Sequence, residues 1–298
     1  MKNKTVFIGL VIADCFFVFF LAAYLIHYPP IRVKADSKIP IDYQETGRPV
    51  VINKDHFPIL DSQSYILVDA ETNTVLAQKN SLIRVFPAST TKLVTALTAL
   101  NIYPLEEIVT ISRVYPEGKT MGLVPGEKMT VLSLVQALLV SSANDAAYNL
   151  ADHHLNGTAG FVTDMNRLVV RYGLKNTHFV NFDGIHHPNH YSTAFDLAQL
   201  ARLAIKNPII TEVASQKEIT VTDVDRFHQY HLTTTNELLG VIPEIKGLKT
   251  GWTPEAGGCF ISLIDLNGHQ LIGVVTQSQD RFKDTKKLID WAKNSVIW

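Results

Sequence analysis

The sequence predicts an α+β fold in which an antiparallel sheet is flanked by helices and carries a helical subdomain. Three observations point there. Strand-like segments stand at both ends of the region after residue 60, and helix-like segments fill its middle. Two pairs of strand-like segments are joined by short turn sequences, the mark of hairpins. No repeat of fixed period and no low-complexity tract occurs, which excludes solenoids and arrays.

The elements follow in chain order. Lys2 and Lys4 precede an apolar run over residues 5–26, long enough to span a bilayer. Asp14 interrupts it, at a cost of about 2.5–3.5 kcal/mol in a membrane, while each central Leu, Ile, Val or Phe returns about 0.3–0.6 kcal/mol. The apolar residues between Phe7 and Leu21 together outweigh the aspartate, so insertion is expected. Val33-Lys34-Ala35 resembles a small-x-small cleavage site, but the run is longer than a usual signal core, which favours an uncleaved anchor. Lys2 and Lys4 on one side face Arg32, Lys34 and Lys38 on the other, so charge bias does not fix orientation. The predicted organisation is a membrane anchor or signal segment over 1–28, a proline-punctuated linker over 29–60, and one folded domain over 61–298.

Within that domain, residues 64–69 and 75–78 read as a hairpin around Glu71-Thr72-Asn73. Helices are predicted over 89–100, 132–140, 145–153, 160–172 and 193–206 from their apolar spacing. Strands return at 246–250, 259–264 and 271–275, the last two joined by a turn at 265–268. An amphipathic helix with Leu288, Ile289 and Trp291 on its apolar side closes the chain at 281–296.

Composition excludes several classes. With 27 basic and 28 acidic residues there is no field for a phosphate backbone, so no nucleic-acid partner is expected. The two cysteines, Cys15 and Cys259, lie far apart in the chain, and no zinc-type Cys/His spacing occurs. Gly118-Lys119-Thr120 lacks the first glycine of a phosphate loop, because Arg113 stands there. His186, His187 and His190 beside Pro188, and the pair His153-His154, lack the H-E-x-x-H pattern and read as a polar surface loop. Neither a metal nor a cofactor is expected.

Three strings carry chemistry: Ser89-Thr90-Thr91-Lys92, Ser142-Ala143-Asn144 and Lys249-Thr250-Gly251. Each alone is ordinary; a serine N-cap and a solvated lysine would explain the first. Their order and placement together are informative. Serine and lysine three apart share a helix face, so an amine reaches the hydroxyl. A serine hydroxyl needs a neighbouring base to become a nucleophile. Lys92 could serve if desolvation and a second ammonium such as Lys249 depress its proton affinity. At a helix start, the Ser89 backbone N–H would favour an oxyanion. Ser142 and Asn144 fall in a break between helices, and Gly251 on a strand edge would let a substrate backbone lie close.

This set is associated with β-lactamases and penicillin-binding proteins. The wider strings Pro87–Leu93, Ser142–Ala147 and Gly247–Gly251 resemble the D-alanyl-D-alanine carboxypeptidases, the low-molecular-mass penicillin-binding proteins. Asn181-Phe182-Asp183-Gly184, Tyr191-Ser192-Thr193-Ala194 and Asp280-Arg281-Phe282 extend the resemblance, which covers residues 64–298. It implies a β-lactamase/D,D-peptidase-like fold and removal of the terminal D-alanine from peptidoglycan stem peptides. Ser89 would be acylated with Lys92 as base, and Ser142 with Lys249 would relay a proton to the leaving amine. Asn144 would orient the substrate amide, Thr250 and Arg281 would hold its carboxylate, and the N–H groups of Ser89 and Trp252 would form the oxyanion hole. β-Lactams would acylate the same serine. Stem peptides place the domain outside the cytoplasm, on a bacterial membrane or secreted if the first segment is cleaved.

Two departures stand out. The sequence stops after the last helix, whereas many members carry a further β domain and an amphipathic anchor; the N-terminal segment is expected to replace that anchor. Position 252 is tryptophan, which would reshape the leaving-group side. The same apparatus would support D,D-endopeptidase action. A β-lactamase would need a glutamate-held water, for which no equivalent follows Ser142. A non-catalytic muropeptide sensor is opposed by the intact Ser89, Lys92, Ser142 and Lys249 set.

Overall fold

The computed structural model describes residues 47–52 and 57–298. The predicted anchor over 1–28 and most of the predicted linker lie outside these residues. Gly47–Trp298 form one compact unit. The unit therefore reaches back into the predicted linker, because strand β1 (Val50–Val51) pairs antiparallel with the last strand of the chain, and Leu60 is buried.

The central sheet is built from both ends of this unit, as the hairpin signals predict. Strands β2 (Ser64–Asp69) and β3 (Val75–Lys79) form the first hairpin. The chain then passes through a 3-10 turn at Ala88–Thr90 into helix α1 (Thr91–Ile102). That helix stops where it does because Pro104 disfavours a helical Tyr103, which is extended. A small hairpin, β4 (Ile108–Thr110) with β5 (Lys128–Thr130), leads into α2 (Val131–Val140), capped by Thr130 Oγ1 accepting from Ser133 N–H at 3.1 Å. Helices α3 (Asn144–Asp152), α4 (Gly157–Arg171), α5 (Ala194–Ala204) and α6 (Pro208–Ala214) follow, then a second small hairpin of β6 (Glu218–Thr222) and β7 (Gln229–Thr233). Strands β8 (Ile245–Thr253), β9 (Gly257–Leu266) and β10 (His269–Ser278) complete the five-stranded antiparallel sheet in the order β3-β2-β10-β9-β8. Helix α7 (Arg281–Ser295) and strand β11 (Val296–Ile297) close the chain.

The sheet has two apolar faces because successive side chains point opposite ways. Ile66, Val68, Ile272 and Val274 join the core of the helical layer, which includes Leu93, Leu134 and Phe161. Tyr65, Leu67, Leu271 and Val275 alternate with them and pack with Leu288, Ile289 and Trp291 of α7. Burying each such side chain contributes about 1.5–3 kcal/mol. Strand β8 is left at the sheet edge, and it carries Lys249, Thr250, Gly251 and Trp252.

The elements predicted between residues 64 and 296 all form, several with shifted ends. Helix α1 begins at Thr91 rather than Ser89, because Ser89 sits in the 3-10 turn closed by Thr90 Oγ1 donating to Pro87 O at 2.6 Å. Strands β1, β4 to β7 and β11, and helix α6, form without having been predicted. Most are short and half-exposed, so what period they have spans too few residues to stand out. The histidine loop also differs from the sequence reading. His190 is buried rather than solvated, and burial, with the neighbouring histidines, pushes its imidazole down to about 3. Its Nδ1 accepts from Val180 N–H at 3.2 Å, so the network assigns the proton to Nε2, which donates to Thr91 Oγ1 at 2.8 Å. That bond ties the loop to the first turn of α1. His153 pairs with Glu107 at 2.7 Å, and His154 with Asp164 at 3.3 Å. Among the described residues no three His, Cys, Asp or Glu side chains group to hold a metal.

Candidate active site

Pro87 and the positive φ of 48° at Ala88 turn the chain into the 3-10 segment that presents Ser89. One turn on, in the first turn of α1, Lys92 is fully buried. Its Nζ donates to Ser89 Oγ at 3.0 Å and to the Asp183 carbonyl at 2.7 Å. Burial pulls this ammonium from the ordinary 10.5 down to about 8, against an opposing pull from the Asp183 carboxylate. The predicted helix-face pairing is therefore present, and desolvation is the cause of the shift.

The second ammonium behaves differently from the expectation. Lys249 is also buried, and its amine is driven well below the lysine range by burial first, then by Lys92, Lys119 and Arg281. Its Nζ donates to the Thr250 carbonyl at 3.0 Å. The two buried amines thus differ in their surroundings: the Asp183 carboxylate supports charge on Lys92, whereas the cations around Lys249 oppose it.

Ser89 opens into a cleft of about 300 Å³. Ser142 and Asn144 line one wall, as the break between α2 and α3 predicts. Ser142 adopts φ 65°, a left-handed conformation uncommon for serine. Thr250, Gly251, Trp252 and Arg281 line it from β8 and the start of α7. Thr250 Oγ1 shares a 2.6 Å hydrogen bond with Thr235 Oγ1. Arg281 Nε is buried without a hydrogen-bond partner, so its guanidinium has donor capacity to spare toward an anion. The Trp252 side chain is 60% exposed and stands at the cleft mouth. Thus seven of the nine predicted site residues border the cleft, and the two buried lysines lie behind it, Lys92 bonded to Ser89 and Lys249 to Thr250.

Gly251 lines the cleft and also serves a neighbour within the protein. A Cβ there would come within 2.8 Å of Ser89 N and 3.0 Å of Thr90 N, so the glycine is required by the nucleophile's own turn. Gly184 does the same from the other side. It has φ 85°, and a Cβ there would meet the Ala88 carbonyl oxygen at 1.9 Å and Ser89 N at 3.0 Å. Two glycines thus keep the surroundings of the Ser89 amide open.

Several residues that shape the site escaped the sequence reading. Tyr115 Oη donates to Asp183 Oδ2 at 2.7 Å and stacks on Tyr148. Asp183 in turn accepts from Ile185 N–H, and its own carbonyl receives Lys92. Burial and the Asp183 carboxylate raise the Tyr115 phenol, which stays a donor. Gly118 and Lys119, discarded as an incomplete phosphate loop, line the cleft beside Asn144. Asn144 Nδ2 donates to Glu117 O at 2.9 Å, and Asn144 N–H to Lys119 O at 2.7 Å. The only sequence signal for Asp183 and Gly184 is the Asn181-Phe182-Asp183-Gly184 string; Tyr115 and Thr235 carry none.

The arrangement can deliver a hydroxyl nucleophile with a buried amine as proton acceptor, beside donors for an oxyanion and an anion. Comparison with known proteins agrees. Residues 51–280 match the model of peptidase S11, D-alanyl-D-alanine carboxypeptidase. D-alanyl-D-alanine carboxypeptidase DacF of Bacillus subtilis strain 168 is 31% identical over 242 residues, covering 78% of this chain and 62% of the relative. D-alanyl-D-alanine carboxypeptidase DacA of Escherichia coli K12 is 31% identical over 251 residues, covering 78% and 61%. The chain thus spans about three fifths of the length of these relatives. The crystal structure of the Streptomyces K15 DD-transpeptidase superposes with a TM-score of 0.75 at 31% identity, over 79% of this chain and 98% of that one. The edge-strand lysine, the helix-break serine and the cleft serine with its buried lysine therefore sit on a D,D-peptidase fold, and this chain belongs to the D-alanyl-D-alanine carboxypeptidase family.

Proposed function

We propose that the protein is a serine D,D-carboxypeptidase that removes the terminal D-alanine from peptidoglycan stem peptides through a Ser89 acyl-enzyme, and that penicillins acylate the same residue. The observation that carries this is the 3.0 Å contact from Lys92 Nζ to Ser89 Oγ, made by an amine that burial lowers to about 8. In its neutral form Lys92 takes the Ser89 proton as Oγ attacks the carbonyl between the two D-alanines. The oxyanion is held by the N–H groups of Ser89 and Trp252. The leaving amine receives a proton through Ser142 and Lys249, while Thr250 and Arg281 hold the terminal carboxylate. Asn144 orients the peptide preceding the acyl carbon. Water then attacks the ester and frees the shortened peptide. The residues in hand complete each step without a metal or cofactor.

The domain is proposed to act outside the cytoplasm, held at a bacterial membrane by the apolar run over residues 5–26. Among the described residues no helix is long and apolar enough to cross a membrane, so this part rests on the sequence. The activity is tested by D-alanine release from diacetyl-lysyl-D-alanyl-D-alanine. The wild type should release it and Ser89→Ala should not; release retained by Ser89→Ala would overturn the mechanism. Binding of the peptide without release by the wild type would favour a muropeptide sensor.

A further inference from the structure

Lys119 is an exposed cation in a cleft whose other charged groups are engaged or assigned. The segment that carries it is fastened firmly. Its carbonyl receives Asn144 N–H at 2.7 Å, and the Glu117 carbonyl two residues earlier receives Asn144 Nδ2 at 2.9 Å. Gly118 packs so tightly on this asparagine that a Cβ would meet Nδ2 at 2.3 Å. Beyond it, the Asp145 carboxylate accepts from the N–H groups of Met121, Gly122 and Leu123 at 2.9–3.1 Å. The backbone of the loop is thus latched to α3 at several points.

The ammonium at its centre has no carboxylate partner among the described residues. The one acid that lines the cleft, Asp183, already accepts from Tyr115 and Ile185. An unpaired lysine at this position also has a cost, because its charge helps drive down the buried Lys249. Loop geometry this rigid, holding a cation that satisfies nothing inside the protein, is built to meet a charge from outside.

We propose that Lys119 is a specificity-determining residue that pairs with a free carboxylate on the acyl-donor side of the stem peptide. This rests on the D,D-carboxypeptidase reading and names the donor it prefers. The terminal carboxylate belongs to Thr250 and Arg281, on β8 and α7. Lys119 stands instead on the helical wall, bonded to Asn144, which orients the peptide preceding the scissile bond. Two cations on separate elements match two carboxylates on one substrate. Donors in which the upstream carboxylate is amidated should be poorer substrates.

The test compares kcat/KM for D-alanine release from two donors that differ in one group: a diaminopimelyl-D-alanyl-D-alanine peptide with a free side-chain carboxylate, and the same peptide amidated there. The wild type should favour the acid by about tenfold, the range of one charge-assisted hydrogen bond, and the preference should shrink as salt rises. Lys119→Ala should bring the ratio to within about twofold through loss on the acid donor, Lys119→Glu should invert it, and Lys119→Arg should keep it. Equal losses on both donors would assign Lys119 to loop structure and overturn the proposal, as would a wild-type ratio near one. Release from neither donor would sink the carboxypeptidase reading itself, which the amidated donor reports independently of Lys119.

Discussion

Replacing Lys92 with methionine should make the protein's stability advantage depend on pH in a calculable way. The fully buried ammonium has its proton affinity lowered from 10.5 to about 8 on folding. A lysine lowered in this way penalises the folded state while both states are compared below pH 8, and the penalty fades as pH rises toward 10.5, because the unfolded chain binds the extra proton in between. The full penalty is about 3 kcal/mol. Nearly all of it acts at pH 7, and about 1 kcal/mol is left at pH 9.5. Methionine fills the site without charge, but it orphans the Asp183 carbonyl now receiving Lys92, at a cost of about 1–3 kcal/mol that does not change with pH. A single melting temperature therefore mixes two effects of opposite sign. The difference between pH values isolates the charge. Urea unfolding of wild type and Lys92→Met at both pH values, under conditions where unfolding is two-state and reversible, gives the double difference. Relative to wild type, the variant should lose about 2 kcal/mol of stability on going from pH 7 to 9.5. Relief of Lys249, which Lys92 helps to discharge, acts in the same direction. A double difference within about 0.5 kcal/mol of zero would mean that the Lys92 ammonium keeps its ordinary affinity, and the proposed base would lose its basis.

Two further outcomes follow from the same geometry. Gly184→Ala would drive a Cβ into the Ala88 carbonyl and force alanine into φ 85°, so it should cost on the order of 1–3 kcal/mol and slow Ser89 acylation, read by thermal melting and by labelling with a fluorescent penicillin; full labelling rate at unchanged stability would show that the close approach is not needed. The acylation rate constant should rise about tenfold per pH unit below about 8 and level off above, because only neutral Lys92 accepts the Ser89 proton. A flat profile from pH 6 to 9 would contradict Lys92 as the base.

Much of the fold could be read from local signals, and what could not shares a physical cause. The β2–β3 and β9–β10 hairpins had short strand-like runs joined by turn residues, and α1 had leucine and alanine spacing bounded by prolines. Strands β6 and β7 do alternate, pairing Ile219 with Leu232 and Val221 with Tyr230, but each is five residues long and fully buries only Val221 or Leu232, so the pattern is too brief to stand out from the sequence around it. Helix α6 did carry a signal, the Asn207-Pro208 start in which Asn207 accepts from Ile209 N–H, but seven residues are too few for a period. The site divides along the same line. Ser89 and Lys92 are three apart on one turn, so sequence alone can pair them. Tyr115, Asp183 and Lys92 come together from three distant segments, and no spacing rule joins them. The glycine at 251 was correctly singled out for close approach, but the approaching backbone is that of Ser89, a contact between distant segments that only the fold brings about.

The central claim is that Ser89 is the residue that becomes acylated. Intact-protein mass spectrometry after incubation with benzylpenicillin, followed by peptide mapping, addresses it most directly. The wild type should gain the mass of one penicilloyl group, located on the peptide containing Ser89, and Ser89→Ala should gain none. An adduct that persists in Ser89→Ala, or maps to another residue in the wild type, would contradict the account.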